Sequence, residues 1–110
     1  MNKVRRKEIF KVIQLLNKLL DSIPEMSINL LISKIEELID VIQDILDEEE
    51  SVMDSIPENL QNGSVYEKSE DACWNLSDAI SELEELDVEC TKSDITNCVS
   101  NAINNLNNCI

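Results

Sequence analysis

The sequence predicts an all-α, bundle-like fold of four helices in a single domain, residues 1–110. A long antiparallel helical hairpin, residues 27–87, forms its centre, with shorter N- and C-terminal helices packed at the open end. Three observations predict it. Ile28, Leu31, Ile35, Leu38, Ile42, Ile45, Val52 and Ile56 recur at alternating three- and four-residue steps, interrupted only by Glu49. That spacing is the seam of a helix lying along a partner helix. A second row, Ile32, Ile39, Leu46 and Met53, widens the apolar face. Finally, one glycine and two prolines leave long helices uninterrupted and disfavour strand-and-turn architectures. A helix of about thirty residues spans about 45 Å. It cannot bury so long a face on itself, and the width of the face predicts a homo-oligomer, a dimer.

The first helix is expected from Lys3 to Asp21. Ile9, Val12 or Ile13, Leu16, Leu19 or Leu20, and Ile23 mark its apolar side. Pro24 ends it, because the residue before a proline is pushed from the helical region. Ser27 is the expected N-cap of the long helix. That helix carries Glu36, Glu37, Asp40, Asp44, Asp47, Glu48, Glu49 and Glu50, all expected on its outer side. Four successive acids in its C-terminal half repel one another and oppose the helix dipole. Pro57 stops it, and Asn59, Asn62 and Gly63 supply turn chemistry, with a positive φ expected at Gly63.

Ser64 with Glu67 fits a capping box for the third helix, expected to reach Asp87. Its seam, Val65, Ser69, Ala72, Leu76, Ala79, Leu83 and Leu86, is smaller in volume than that of the long helix. Small residues opposite large ones allow close approach. The last helix is expected from Ser93 or Asp94, with Ile95, Cys98, Val99, Ala102, Ile103, Leu106 and Ile110 inward and an asparagine-rich outer side. The stretch Asp21-Ser22-Ile23-Pro24-Glu25 recurs as Asp54-Ser55-Ile56-Pro57-Glu58, read here as convergent helix-stop chemistry.

The net charge is −14. It argues against direct nucleic-acid binding, which needs clustered cations, and against attraction to anionic membrane. It suits solubility or a basic protein partner. Residues 1–20 hold six cations and one acid, whereas residues 21–90 hold two cations and twenty-one acids. The basic first helix is therefore expected to lie against acids of its own chain or of a neighbour, or to be solvated. No signal peptide or membrane-length apolar run is read in the sequence. A cytoplasmic location is expected, with Cys73, Cys90, Cys98 and Cys109 reduced; a disulfide from Cys90 to a later cysteine is the alternative.

There is no histidine. The commonest general base and metal ligand is thus missing, and no cofactor, metal site or catalytic residue is expected. The candidate site is a partner-binding face: Asp44, Asp47, Glu48, Glu49, Glu50, Glu67, Glu70, Asp71 and Trp74. Whether the two acidic groups meet depends on hairpin register. Trp74 is either a core-edge anchor or an exposed contact, where aromatics concentrate binding energy.

Residues 44–86 carry one further signal. Asp47-Glu48-Glu49-Glu50, then Asp54-Ser55-Ile56-Pro57-Glu58-Asn59-Leu60-Gln61, Ser64, Tyr66-Glu67, Asn75-Leu76 and Ala79-Ile80 form a pattern that resembles small proteins of bacteriophages and prophages. The resemblance implies a viral accessory protein acting in the host cytoplasm and carries over no catalytic residue. Joined to the charge, it leads to a non-enzymatic protein that binds a host protein with a basic, nucleic-acid-binding surface, such as a CRISPR or restriction complex. The competing readings are an oligomeric sponge for a cyclic-nucleotide signal and a virion or assembly protein.

Overall fold

The computed structural model describes residues 1–110, in four helices: α1 (Lys3–Ser22), α2 (Ile28–Asp54), α3 (Ser64–Glu84) and α4 (Lys92–Asn107). Successive helices are antiparallel and pack in a square, α1 on α2, α2 on α3, α3 on α4 and α4 on α1. The bundle measures 51 × 23 × 18 Å. One core of 24 residues runs through all four helices. Its largest fully buried side chains include Ile9, Leu16, Leu31, Ile35, Ile42, Ile45, Leu76, Leu83, Ile95 and Leu106. These are the inward positions of the three-four rhythm on each helix.

Local chemistry sets the ends. The Asn2 side chain accepts from Arg5 N–H at 2.8 Å and caps α1. Ile23 keeps helical dihedrals, φ −52° and ψ −46°, although it precedes Pro24, contrary to expectation, and is buried; α1 ends here because Pro24 has no N–H to continue the helix. Ser27 Oγ accepts from Leu30 N–H at 3.3 Å and caps α2 as expected. A single 3₁₀ turn, Glu58–Leu60, links α2 to α3.

Two expectations in this link are overturned. Gly63 has φ of −82°, not positive, and is itself the N-cap of α3. Its value is space: a Cβ there would stand 3.2 Å from the Leu60 carbonyl oxygen. Helix α3 starts at Ser64, one residue earlier than the Ser64–Glu67 capping box requires, and no side chain caps it. The capping box belongs instead to α4. Thr91 Oγ1 accepts from Asp94 N–H and Asp94 accepts from Thr91 N–H, each at 3.1 Å. Helix α4 therefore starts at Lys92, and α3 stops at Glu84, short of Asp87.

The outer helices also sit differently from expectation. They run beside most of the hairpin rather than only at its open end. At one extreme Leu19 of α1 shares a groove with Lys34 and Leu38 of α2, and at the other Arg5 meets Glu49. Beyond Glu49 the hairpin projects alone. Seam positions Val52 and Val65 are consequently exposed, Val65 by 71 %. The body of the wide apolar face that predicted a dimer is covered within the chain, by α1 on one side and α3 on the other.

No helix is long and apolar enough to cross a membrane. All four cysteines are free thiols.

Candidate protein-binding face

The acidic run splits because an α-helix turns about 100° per residue. Asp47, Glu48, Glu49 and Glu50 therefore point four different ways. Glu49 occupies the seam, seven residues before Ile56 and four after Ile45, so it points into the bundle and is 0 % exposed. It is not part of an exposed binding face, which corrects the expectation for that residue. Its Oε2 accepts from Arg5 Nε at 2.7 Å, and its Oε1 accepts from Ser69 Oγ at 2.7 Å. The Met1 ammonium lies 3.6 Å from Oε1. A buried carboxylate is tolerated only when paired and hydrogen-bonded. Here α1 and α3, with the Met1 ammonium, supply the partners, and no buried side-chain polar atom is left without one.

Arg5 is the member of this layer that sequence reasoning missed. A signal existed. Arg5 stands four residues before Ile9, on the inward stripe of α1, just as Glu49 and Ser69 stand on the stripes of α2 and α3. Arg5 is also the only side-chain cation paired with a carboxylate in the protein. The expected lining-up of the basic helix with its own chain's acids thus reduces to this one buried pair. Lys3, Arg6, Lys7, Lys11 and Lys18 are exposed.

The register set by Ser69–Glu49 decides which acids approach one another. Glu50 and Asp54 of α2 face Cys73, Trp74, Ser77 and Asp78 of α3 across a groove of about 440 Å³. Trp74 is 68 % exposed at its rim, so it is not a core anchor. Along α3, Glu70 and Asp78 lie one turn either side of Trp74, and Glu67 lies two turns before it. Asp78 and Asp54 were not singled out from the sequence. They join the face because of the register, which sequence periodicity leaves open.

Other expected members lie elsewhere. Asp44 and Glu48 fall seven and eleven residues after Glu37, which lines the α1–α2 groove, so they share that flank. Asp47 is the exception: three residues before Glu50 and seven before Asp54, it stays with their face, exposed, and accepts from Gln43 Nε2 at 2.9 Å. Asp71 lines a different recess, with Arg6, Lys68 and Asn108. Of the nine expected residues, Asp47, Glu50, Glu67, Glu70 and Trp74 come together on one face.

The thiols are chemically quiet. Burial, reinforced by Glu49, Glu50 and Asp54, pushes Cys73 up to about 11. Burial, with Cys73 and Glu49 behind it, pushes Cys109 up to about 12, and its Sγ donates to the Ala72 carbonyl at 3.7 Å. Glu82, Glu85 and Cys98 bring three ligand atoms within 4.8 Å of one another. Burial and those same carboxylates raise the Cys98 pKa, which favours its neutral thiol over the thiolate that a metal would take.

Compared with known proteins, the chain matches no family model, no curated protein and no solved structure.

Proposed function

We propose that the protein is a non-enzymatic binding module whose Trp74 face engages a basic protein surface. One observation carries this reading: the sole tryptophan is exposed in the middle of carboxylates, Glu50, Asp54, Glu70 and Asp78, beside an open groove. An exposed indole is costly to leave in water and is a common anchor of interfaces. Carboxylates around it repel anions, attract cationic partners and steer their approach. The resemblance to phage proteins makes a nucleic-acid-binding host protein the partner to test first. The same carboxylates work against a phosphate ligand at this face; a nucleotide sponge would have to use the cations of the first helix, Lys3 to Lys18, instead.

The test uses Trp74 as its own reporter. A lysine-rich helical peptide is expected to shift Trp74 emission to the blue, with an affinity that falls as salt shortens the Debye length from about 10 Å to about 3 Å. The triple variant Glu50→Gln, Asp54→Asn, Asp78→Asn is expected to lose the shift. A variant with the same charge change at the far end, Glu84→Gln, Glu85→Gln, Asp87→Asn, is expected to keep it. Equal loss in both variants would reduce the effect to net charge and overturn the reading.

A further inference from the structure

The side of the bundle opposite Trp74 carries a matching feature of the other sign. Phe10 of α1 is 53 % exposed. Lys3, Arg6, Lys7 and Lys11 surround it, and together with Ile110 they line an open groove of about 430 Å³ along the α1–α4 edge. Trp74 lies on the α2–α3 edge. In a square of helices those two edges are opposite sides. Within the chain the cations of this ridge have no carboxylate within ion-pair distance; the ion pairs are those of Glu49 with Arg5 and the Met1 ammonium.

Each side is thus an aromatic ring set among charges of one sign, next to an open groove. We infer that the molecule binds a second copy of itself head to tail, the Phe10 ridge of one protomer seated against the Trp74 face of the next. This rests on the reading of the Trp74 face given above and adds a specific occupant. Charge complementarity selects it. Both copies carry −14 overall, so the contact rests on the local match of the Lys3, Arg6, Lys7 and Lys11 ridge to the Glu50, Asp54 and Asp78 face. A second copy offers carboxylates and an aromatic ring on a matched face. Because the two surfaces differ and lie on opposite sides, the contact is heterologous and propagates rather than closing a two-fold dimer.

Sedimentation equilibrium at low salt tests it. The wild-type average mass is expected to rise with concentration beyond that of a dimer. A ridge variant, Lys7→Glu with Lys11→Glu, and a face variant, Glu50→Lys with Asp54→Lys, are each expected to be monomeric alone. Mixed in equal amounts they are expected to associate again, since each retains the surface the other needs and the two reversed surfaces also match in charge. All four positions are exposed, so helix content by circular dichroism is expected to be unchanged. The milder Phe10→Ala is expected to weaken assembly without altering charge. The inference is overturned if the wild type stays monomeric at every concentration, if either variant still self-associates, or if the mixture stays monomeric. A wild type that stays monomeric while the lysine-rich peptide still shifts Trp74 emission overturns this inference alone. No peptide response from the wild type at concentrations where it is monomeric overturns the reading of the face, on which this inference rests.

Discussion

Glu49 and Glu50 are adjacent in sequence and belong to two different regions. Glu49 lies in a dry layer with Arg5 and Ser69, closed to solvent and held by two 2.7 Å hydrogen bonds. Glu50 lies one residue on, at an open groove beside Trp74. The residue types are the same and the consequences opposite. In the layer a single carboxylate ties three helices and sets which turn of α3 faces which turn of α2. On the face several carboxylates contribute little to folding each, since solvated charges are screened. They create a field that acts on whatever approaches.

The difference can be broken most severely from the buried side. Arg5→Met leaves Glu49 buried with its main cation gone and is expected to cost about 3–5 kcal/mol, read as a lower urea midpoint. Adding Glu49→Leu is expected to restore most of that, because a well-packed apolar pair often equals a buried ion pair. If the double variant were no more stable than the single, the loss would come from packing and not from the stranded charge. Ser69→Ala removes one hydrogen bond to the charged carboxylate and is expected to cost about 1.5–3 kcal/mol by the same measurement.

The thiols sharpen the comparison through pH. The Cys73 thiol of the folded chain stands at about 11, against 9.0 for a free thiol. A raised folded value means the unfolded chain loses its proton first. Stability is therefore intact below pH 9 and falls as pH rises from 9 towards 11. Thermal midpoints across that window are expected to decline, and less steeply in Cys73→Ala. A rise with pH would contradict the buried placement beside Glu49.

The exposed side gives the smallest stability effect. Trp74→Ala is expected to shift stability by no more than about 0.5 kcal/mol, within the range of surface substitutions. It is expected to abolish capture of a cationic partner. A large loss of stability would mean the indole is packed, not presented.

Most of the fold was legible in the sequence because periodicity encodes which side of a helix is buried. Ile9 to Ile23, Leu31 to Leu46 and Leu76 to Leu86 follow it closely. Ends governed by backbone geometry were less legible. Gly63 was expected to supply a positive φ and instead supplies room beside Leu60, while the Thr91–Asp94 cap was present in the sequence and overlooked. The acidic site was read only in part. Composition marks carboxylates, but sharing a face depends on register, and the register hangs on three polar residues set on apolar stripes. Glu49, which interrupts the seam of α2, was the visible sign. A polar residue at a seam position asks for a buried partner, and Arg5 at the matching position of α1 answers it.

Collisional quenching of the sole tryptophan tests most directly whether an exposed indole stands in a field of carboxylates. Caesium, a cation, is expected to quench Trp74 more strongly than iodide, an anion, and the preference is expected to vanish in the Glu50→Gln, Asp54→Asn, Asp78→Asn variant. Equal quenching by both ions, stronger quenching by iodide, or an indole that neither ion reaches would contradict the account.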